Sequence, residues 1–145
     1  PVDTPVVFFK GWQQKVRIEQ VFLGENLASG SEIYITFDRW KVYVVRKEMD
    51  LSFVNFMKDG ADYLIFLSES IGYTKDGTEV FQLPQNHVIA PVFSYTAHDN
   101  VIYPVSEEST YVPYEAVSDN EFFAVDTDGL DAFLELKKSL VQMYK

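Results

Sequence analysis

His87 and His98 are the only two histidines in this chain of 145 residues, and so the only side chains whose unperturbed titration falls near neutrality. Each stands in a turn, and His98 precedes Asp99, a neighbour that would let its imidazole act as a general base. The competing role for both is that of an exposed turn residue. A second group is Asp126, Asp128 and Asp131. Carboxylate oxygens gathered on a turn are what a hard cation such as Ca2+ requires, although the spacing departs from an EF-hand loop. The same three residues also fit a helix start, where carboxylates cap free N–H groups and complement the dipole. The third group is aromatic: Tyr95, Tyr103, Tyr111 and Tyr114, interleaved with Glu107, Glu108 and Glu115. Rings with a polar tip suit recognition of sugars or protein partners, and equally suit pinning a long loop onto the body of a domain.

Other chemistries leave no trace. With 0 cysteines the chain has no disulfide, no thiolate metal site and no cysteine nucleophile. A glycine-rich phosphate loop, a dinucleotide fingerprint, His-Glu-x-x-His and a nucleophile elbow are all missing. Acids are plentiful, but nothing selects a pair spaced for glycoside hydrolysis. The net charge of -10 is unevenly placed. Residues 1–50 balance, whereas between Lys75 and Lys137 there is no lysine or arginine at all. Such a surface repels a phosphate backbone and an anionic membrane, so nucleic acid is not the expected partner. No apolar run approaches the ~20 residues that span a bilayer.

The elements that must position these groups are mostly strands. The length suits a single domain over 1–145, and a hydrophobic fraction of 47% with 12 Phe and 9 Tyr supplies its core. Alternation from Lys15 and again from Ile33 predicts a hairpin of strands near 12–23 and 31–46, with a β-bulge where the phase slips at Glu19-Gln20. Asp62-Tyr-Leu-Ile-Phe-Leu-Ser, within a strand near 62–68, reads as covered on both sides. A hairpin over 71–83 turns at Asp76-Gly77, a pair suited to a two-residue type I′ turn. Further strands are expected near 87–103, where Pro91 marks an edge or bulge, and near 110–125 after a long surface excursion. The only helix, about 128–144, presents Leu130, Phe133, Leu134, Val141 and Tyr144, widened by Leu136, Leu140 and Met143, with Lys137, Lys138 and Lys145 toward its negative end.

Three stretches carry a family resemblance: Lys15-Val-Arg-Ile-Glu-Gln-Val-Phe-Leu-Gly, Gly30-Ser-Glu-Ile-Tyr-Ile-Thr and Asp59-Gly-Ala-Asp-Tyr-Leu-Ile-Phe-Leu. In this order they resemble bacterial exported proteins and lipoproteins with a netrin-like, tissue-inhibitor-of-metalloproteinase-like OB barrel, over about residues 12–70 and the terminal helix. The resemblance implies a mainly β or α+β fold, a small antiparallel OB-like barrel with one C-terminal amphipathic helix packed on it. It also implies an extracytoplasmic location, and the start at Pro1 leads to the same expectation of a leader or anchor upstream. Protease inhibition in that family needs an N-terminal cysteine, which this chain lacks. The expected role is a non-catalytic binding or interaction module for protein or carbohydrate. The alternatives are a hydrolase drawing on the downstream carboxylates and His98, and a purely structural domain.

Overall fold

The computed structural model describes residues 12–37, 54–83, 92–102, 114–124 and 126–145. β1 (Trp12–Arg17) and β2 (Glu32–Phe37) form the expected hairpin, with Val16 opposite Ile33 and Gln14 opposite Ile35. The alternation does what period two requires. Gln14, Val16 and Ile18 turn inward, while Gln13, Lys15 and Arg17 stay exposed. Pairing ends just past Ile18, whose N–H donates to Ser31 O at 2.9 Å. The expected strand to residue 23 and its bulge at Glu19-Gln20 are therefore replaced by a loop, which delivers Phe22 to the Tyr144 ring at 5.2 Å.

β3 (Tyr63–Ile65) pairs antiparallel with β6 (Val92–Ser94), while β4 (Ser70–Tyr73) and β5 (Glu79–Gln82) extend the first sheet to the order β1-β2-β5-β4. β2 and β5 run parallel, with Tyr34 opposite Val80 and Ile35 opposite Phe81. The sheet is thus mixed rather than antiparallel throughout, because the chain between β2 and β5 is long enough for a crossover. Among the described residues no ladder joins β1 to β4, so the described sheet is open.

One turn and one bulge differ from the sequence reading. In the β4–β5 hairpin Thr74 N–H donates to Thr78 O and Gly77 N–H to Thr74 O, with Gly77 at φ 83. That is a three-residue loop with glycine in the left-handed position, not a two-residue I′ turn. A bulge does occur, but in β4: the register shifts between Ser70 and Gly72, and Gly72 takes φ 132.

Over the described part of the strand expected near 110–125, residues 114–124, the chain is instead a short helix, α1 (Tyr114–Val117), followed by irregular chain whose one bridge among the described residues joins Val54 and Phe122. Of the strand expected near 31–46, residues 38–46 lie outside the described residues; of that expected near 87–103, residues 87–91 and 103 lie outside them and residues 95–102 are irregular in place of a strand.

The β3–β6 ribbon sits between two cores. Tyr63, Ile65 and Val92 face Ile33, Ile35, Met57 and Phe81 beneath the larger sheet. Leu64, Phe66 and Phe93 face Phe122, Leu130 and Phe133 on the helix side. This is the two-sided cover that the unbroken apolar run around Tyr63 requires. The outer layer is α2 (Thr127–Met143), capped by Asp126, whose Oδ1 accepts the Gly129 N–H at 2.7 Å. Its packed face is centred on Phe133, Leu140 and Tyr144. Leu134 and Met143 lie on the two margins and are exposed, so both leave the face expected for them. No described helix is long and apolar enough to cross a membrane.

Replacing the cap should loosen the outer layer without dissolving the sheets. Asp126→Ala is expected to lower the unfolding free energy in urea by about 1 kcal/mol. An unchanged midpoint would show that the cap contributes nothing.

Candidate functional site

The polar side chains that converge in this fold do so around residues 117–122, a strip without a continuous strand ladder. Buried backbone groups must find partners, and here asparagines supply them. Asn55 Nδ2 donates to Asn120 O at 2.8 Å, and the Asn55 N–H donates to Glu121 O at 2.9 Å. Asn100 Oδ1 accepts the Glu121 and Phe122 N–H groups at 2.9 and 3.2 Å. Asn120 closes a two-way pair with Val101, accepting its N–H and donating to its carbonyl, both at 2.9 Å. Gln14 acts likewise on the other core, exchanging two 2.9 Å hydrogen bonds with the Met57 backbone.

At the centre of the strip Glu121 is 3% exposed and meets Lys137, 14% exposed, at 2.5 Å. Its second oxygen accepts the Ser94 N–H at 2.6 Å, and the Lys137 ammonium also donates to Thr96 O at 2.6 Å. One ion pair therefore joins β6, the irregular strip and α2. Lys137 sits mid-helix and reaches across to the strip, and no basic residue occupies the last turn of α2, contrary to the dipole role expected for the lysines.

His98 lies beside this strip. Its Nδ1 is 3.2 Å from Asp119 O, and its Nε2 is buried with no hydrogen-bond partner among the described residues. The nitrogen that would serve as a base is thus turned away from solvent. Asp119 is paired with Lys58, and that ammonium together with the Asp99 N–H holds its carboxyl below the ordinary aspartate range. His87 lies outside the described residues.

The carboxylates of the acidic group are dispersed by the helix they begin. Asp126 is the cap, Asp128 lies in the first turn, and Asp131 is exposed on the next. Among the described residues no three His, Asp or Glu side chains gather closely enough to hold a metal ion.

Of the four tyrosines, Tyr103 and Tyr111 lie outside the described residues and Tyr114 opens α1. Tyr95 is a tether: its hydroxyl donates to Tyr144 O at 2.5 Å, satisfying a carbonyl at the end of α2. Partial burial, with the Asp62 carboxylate nearby, holds its phenol above the usual value. Two exposed apolar residues, to which the sequence reading gave no binding role, adjoin Phe22 and Tyr144 in the chain. Leu23, 75% exposed, follows Phe22 in the chain, and Met143, 68% exposed, precedes Tyr144, whose ring lies 5.2 Å from that of Phe22. Neither carried a sequence signal, because Leu23 fitted a strand and Met143 fitted the apolar face of a helix. Against known protein families, curated proteins and solved structures, the chain finds no match.

The ion pair is expected to be costly to break from one side. Lys137→Met leaves a buried carboxylate without its cation and should destabilise by about 3–5 kcal/mol. Adding Glu121→Gln, which keeps an acceptor for Ser94 N–H, should recover most of that loss in urea titrations. Additive losses in the double variant would contradict the coupling.

Proposed function

We propose that this chain is a non-catalytic binding module of an exported bacterial surface protein, and that it holds a protein partner at the C-terminal end of α2. The observation that carries the reading is the exposure of two apolar side chains, Leu23 and Met143, each next in the chain to a partner of the Phe22–Tyr144 contact, at the helix end that the Tyr95 hydroxyl tethers. Contiguous apolar patches on a protein surface mark interaction sites, and we read Leu23 and Met143 as parts of one. A flexible thioether adapts to the shape of an apolar partner, and an aliphatic pair suits protein side chains better than sugar rings. The acidic balance of -10 supports a partner other than nucleic acid.

The location rests on the netrin-like resemblance, and so does the finer fold. We take the four-stranded sheet as a partly open OB-like barrel, a reading supported by the early hairpin, the mixed sheet order and the terminal helix laid over the β3–β6 ribbon.

The test is retention of a partner. Immobilised wild-type protein should retain one or more proteins from the secreted and surface fraction of the cells that make it. The Leu23→Ser/Met143→Ser variant, with unchanged circular dichroism, should lose at least ten-fold in binding to that partner once purified. Equal binding by both proteins would contradict the reading, as would retention of glycans in place of proteins.

A further inference from the structure

Aspartate followed by glycine occurs at three places in this chain, Asp59-Gly60, Asp76-Gly77 and Asp128-Gly129. In such a pair no side chain stands beside the glycine nitrogen, which can therefore approach the aspartate carboxyl carbon closely. The fold ties two of the three. Gly77 N–H donates to Thr74 O at 3.0 Å, and Asp76 Oδ1 accepts from the Thr74 hydroxyl and, at 3.3 Å, from the Thr78 N–H. Those hydrogen bonds, the Thr74 hydroxyl foremost, hold the Asp76 carboxyl below the ordinary aspartate range, in the ionised form that does not shed its oxygen as water. Gly129 N–H donates to Asp126 Oδ1 at 2.7 Å inside the first turn of α2, where the backbone dihedrals are fixed. Asp59 and Gly60 differ. They are the two central residues of an exposed turn that Ala61 N–H closes on Lys58 O at 3.4 Å. Among the described residues nothing accepts the Gly60 N–H and nothing holds the Asp59 carboxylate.

We propose that Asp59 is a self-modification site, the one aspartate of the three that rearranges to isoaspartate while the protein stays folded. The Gly60 nitrogen bonds to Asp59 Cγ, and its proton leaves with the carboxyl hydroxyl as water, closing a succinimide. Water then adds back at either ring carbonyl. Opening at the side-chain carbonyl restores aspartate. Opening at the main-chain carbonyl leaves isoaspartate, in which the chain runs through Cγ and is one backbone atom longer. Water lost is water regained, so no further reactant enters the balance. Exposed turn tips are the least constrained backbone of a fold, and a carboxyl and an N–H that nothing ties can sample the geometry of attack. The product lies at an anchor of the molecule. Lys58 opens the same turn, donates its N–H to the Tyr63 hydroxyl at 2.8 Å and pairs its ammonium with Asp119 on the buried strip. The added atom lengthens the span that the Lys58–Tyr63 hydrogen bond closes.

Peptide mapping tests the assignment pair by pair. Folded wild-type chain and the same chain unfolded in urea are aged side by side at mildly acidic pH until the unfolded sample has reacted at all three pairs. Succinimide is read as a peptide lighter by one water, and isoaspartate as a peptide of unchanged mass that an aspartate-specific protease no longer cuts. In the folded chain product should form at Asp59 at least about fivefold faster than at Asp76 or Asp128, the factor that one intact hydrogen bond imposes. In urea the three rates should converge. Asp59→Glu keeps the charge on a longer side chain and should remove the product at that turn, with circular dichroism unchanged. Equal rates at the three pairs of the folded chain overturn the proposal, as does earlier reaction at Asp76 or Asp128. A folded chain that stays unmodified at Asp59 while its unfolded counterpart reacts overturns it as well.

Discussion

A carboxylate almost wholly removed from water must have a cation, and in this protein that requirement ties the layers together. Glu121 lies between Ser94 of β6 and Lys137 of α2, on a strip of chain that no sheet ladder supports. Burying such a pair need not add net stability, because desolvation offsets much of the attraction. What it does is select one arrangement. If α2 slid by a turn, Lys137 would leave the carboxylate and the Thr96 carbonyl together. The ion pair thus sets the register of a helix whose apolar face alone would allow several.

The asparagines extend the same logic to the backbone. Asn55, Asn100 and Asn120 give the strip around Glu121 the hydrogen bonds a neighbouring strand would otherwise supply. A strip held by side chains can be irregular, and irregular chain can turn corners. It passes from α1 across the end of the β3–β6 ribbon to the Asp126 cap within a few residues. The surface proposed for a partner depends on this bracing, because α2 is held at its middle by the ion pair and at its end by the Tyr95 hydroxyl. A fixed apolar surface loses little entropy on binding, which is what distinguishes an interaction site from a stray exposed side chain.

Much of the framework was legible from residue order. The Lys15 and Ile33 alternations fixed which face of the first hairpin turned inward, the run through Tyr63 and Ile65 announced a doubly covered strand, and Asp126 to Tyr144 marked the helix. Illegible were the features decided by tertiary partners. The parallel pairing of β2 with β5 joins residues far apart in sequence, and no local pattern reports it. The strip after α1 contains residues that read as a strand, because the asparagines that replace its ladder occur in loops of every kind. Lys137 looked like a dipole partner at a helix end, since its true partner lies sixteen positions back and is visible only once the helix is docked. Candidate chemistry was legible in kind but not in use: the Asp126 carboxylate proved to be a cap and the Tyr95 phenol a tether.

Native-state hydrogen exchange tests the central claim most directly, since it reads which amides open together. If the Glu121–Lys137 pair ties the layers, the Ser94, Asn55 and Glu121 amides exchange only with the α2 core, at the free energy of global unfolding. Fast exchange at those three amides, while the β1–β2 ladder and mid-α2 remain protected, would contradict the account.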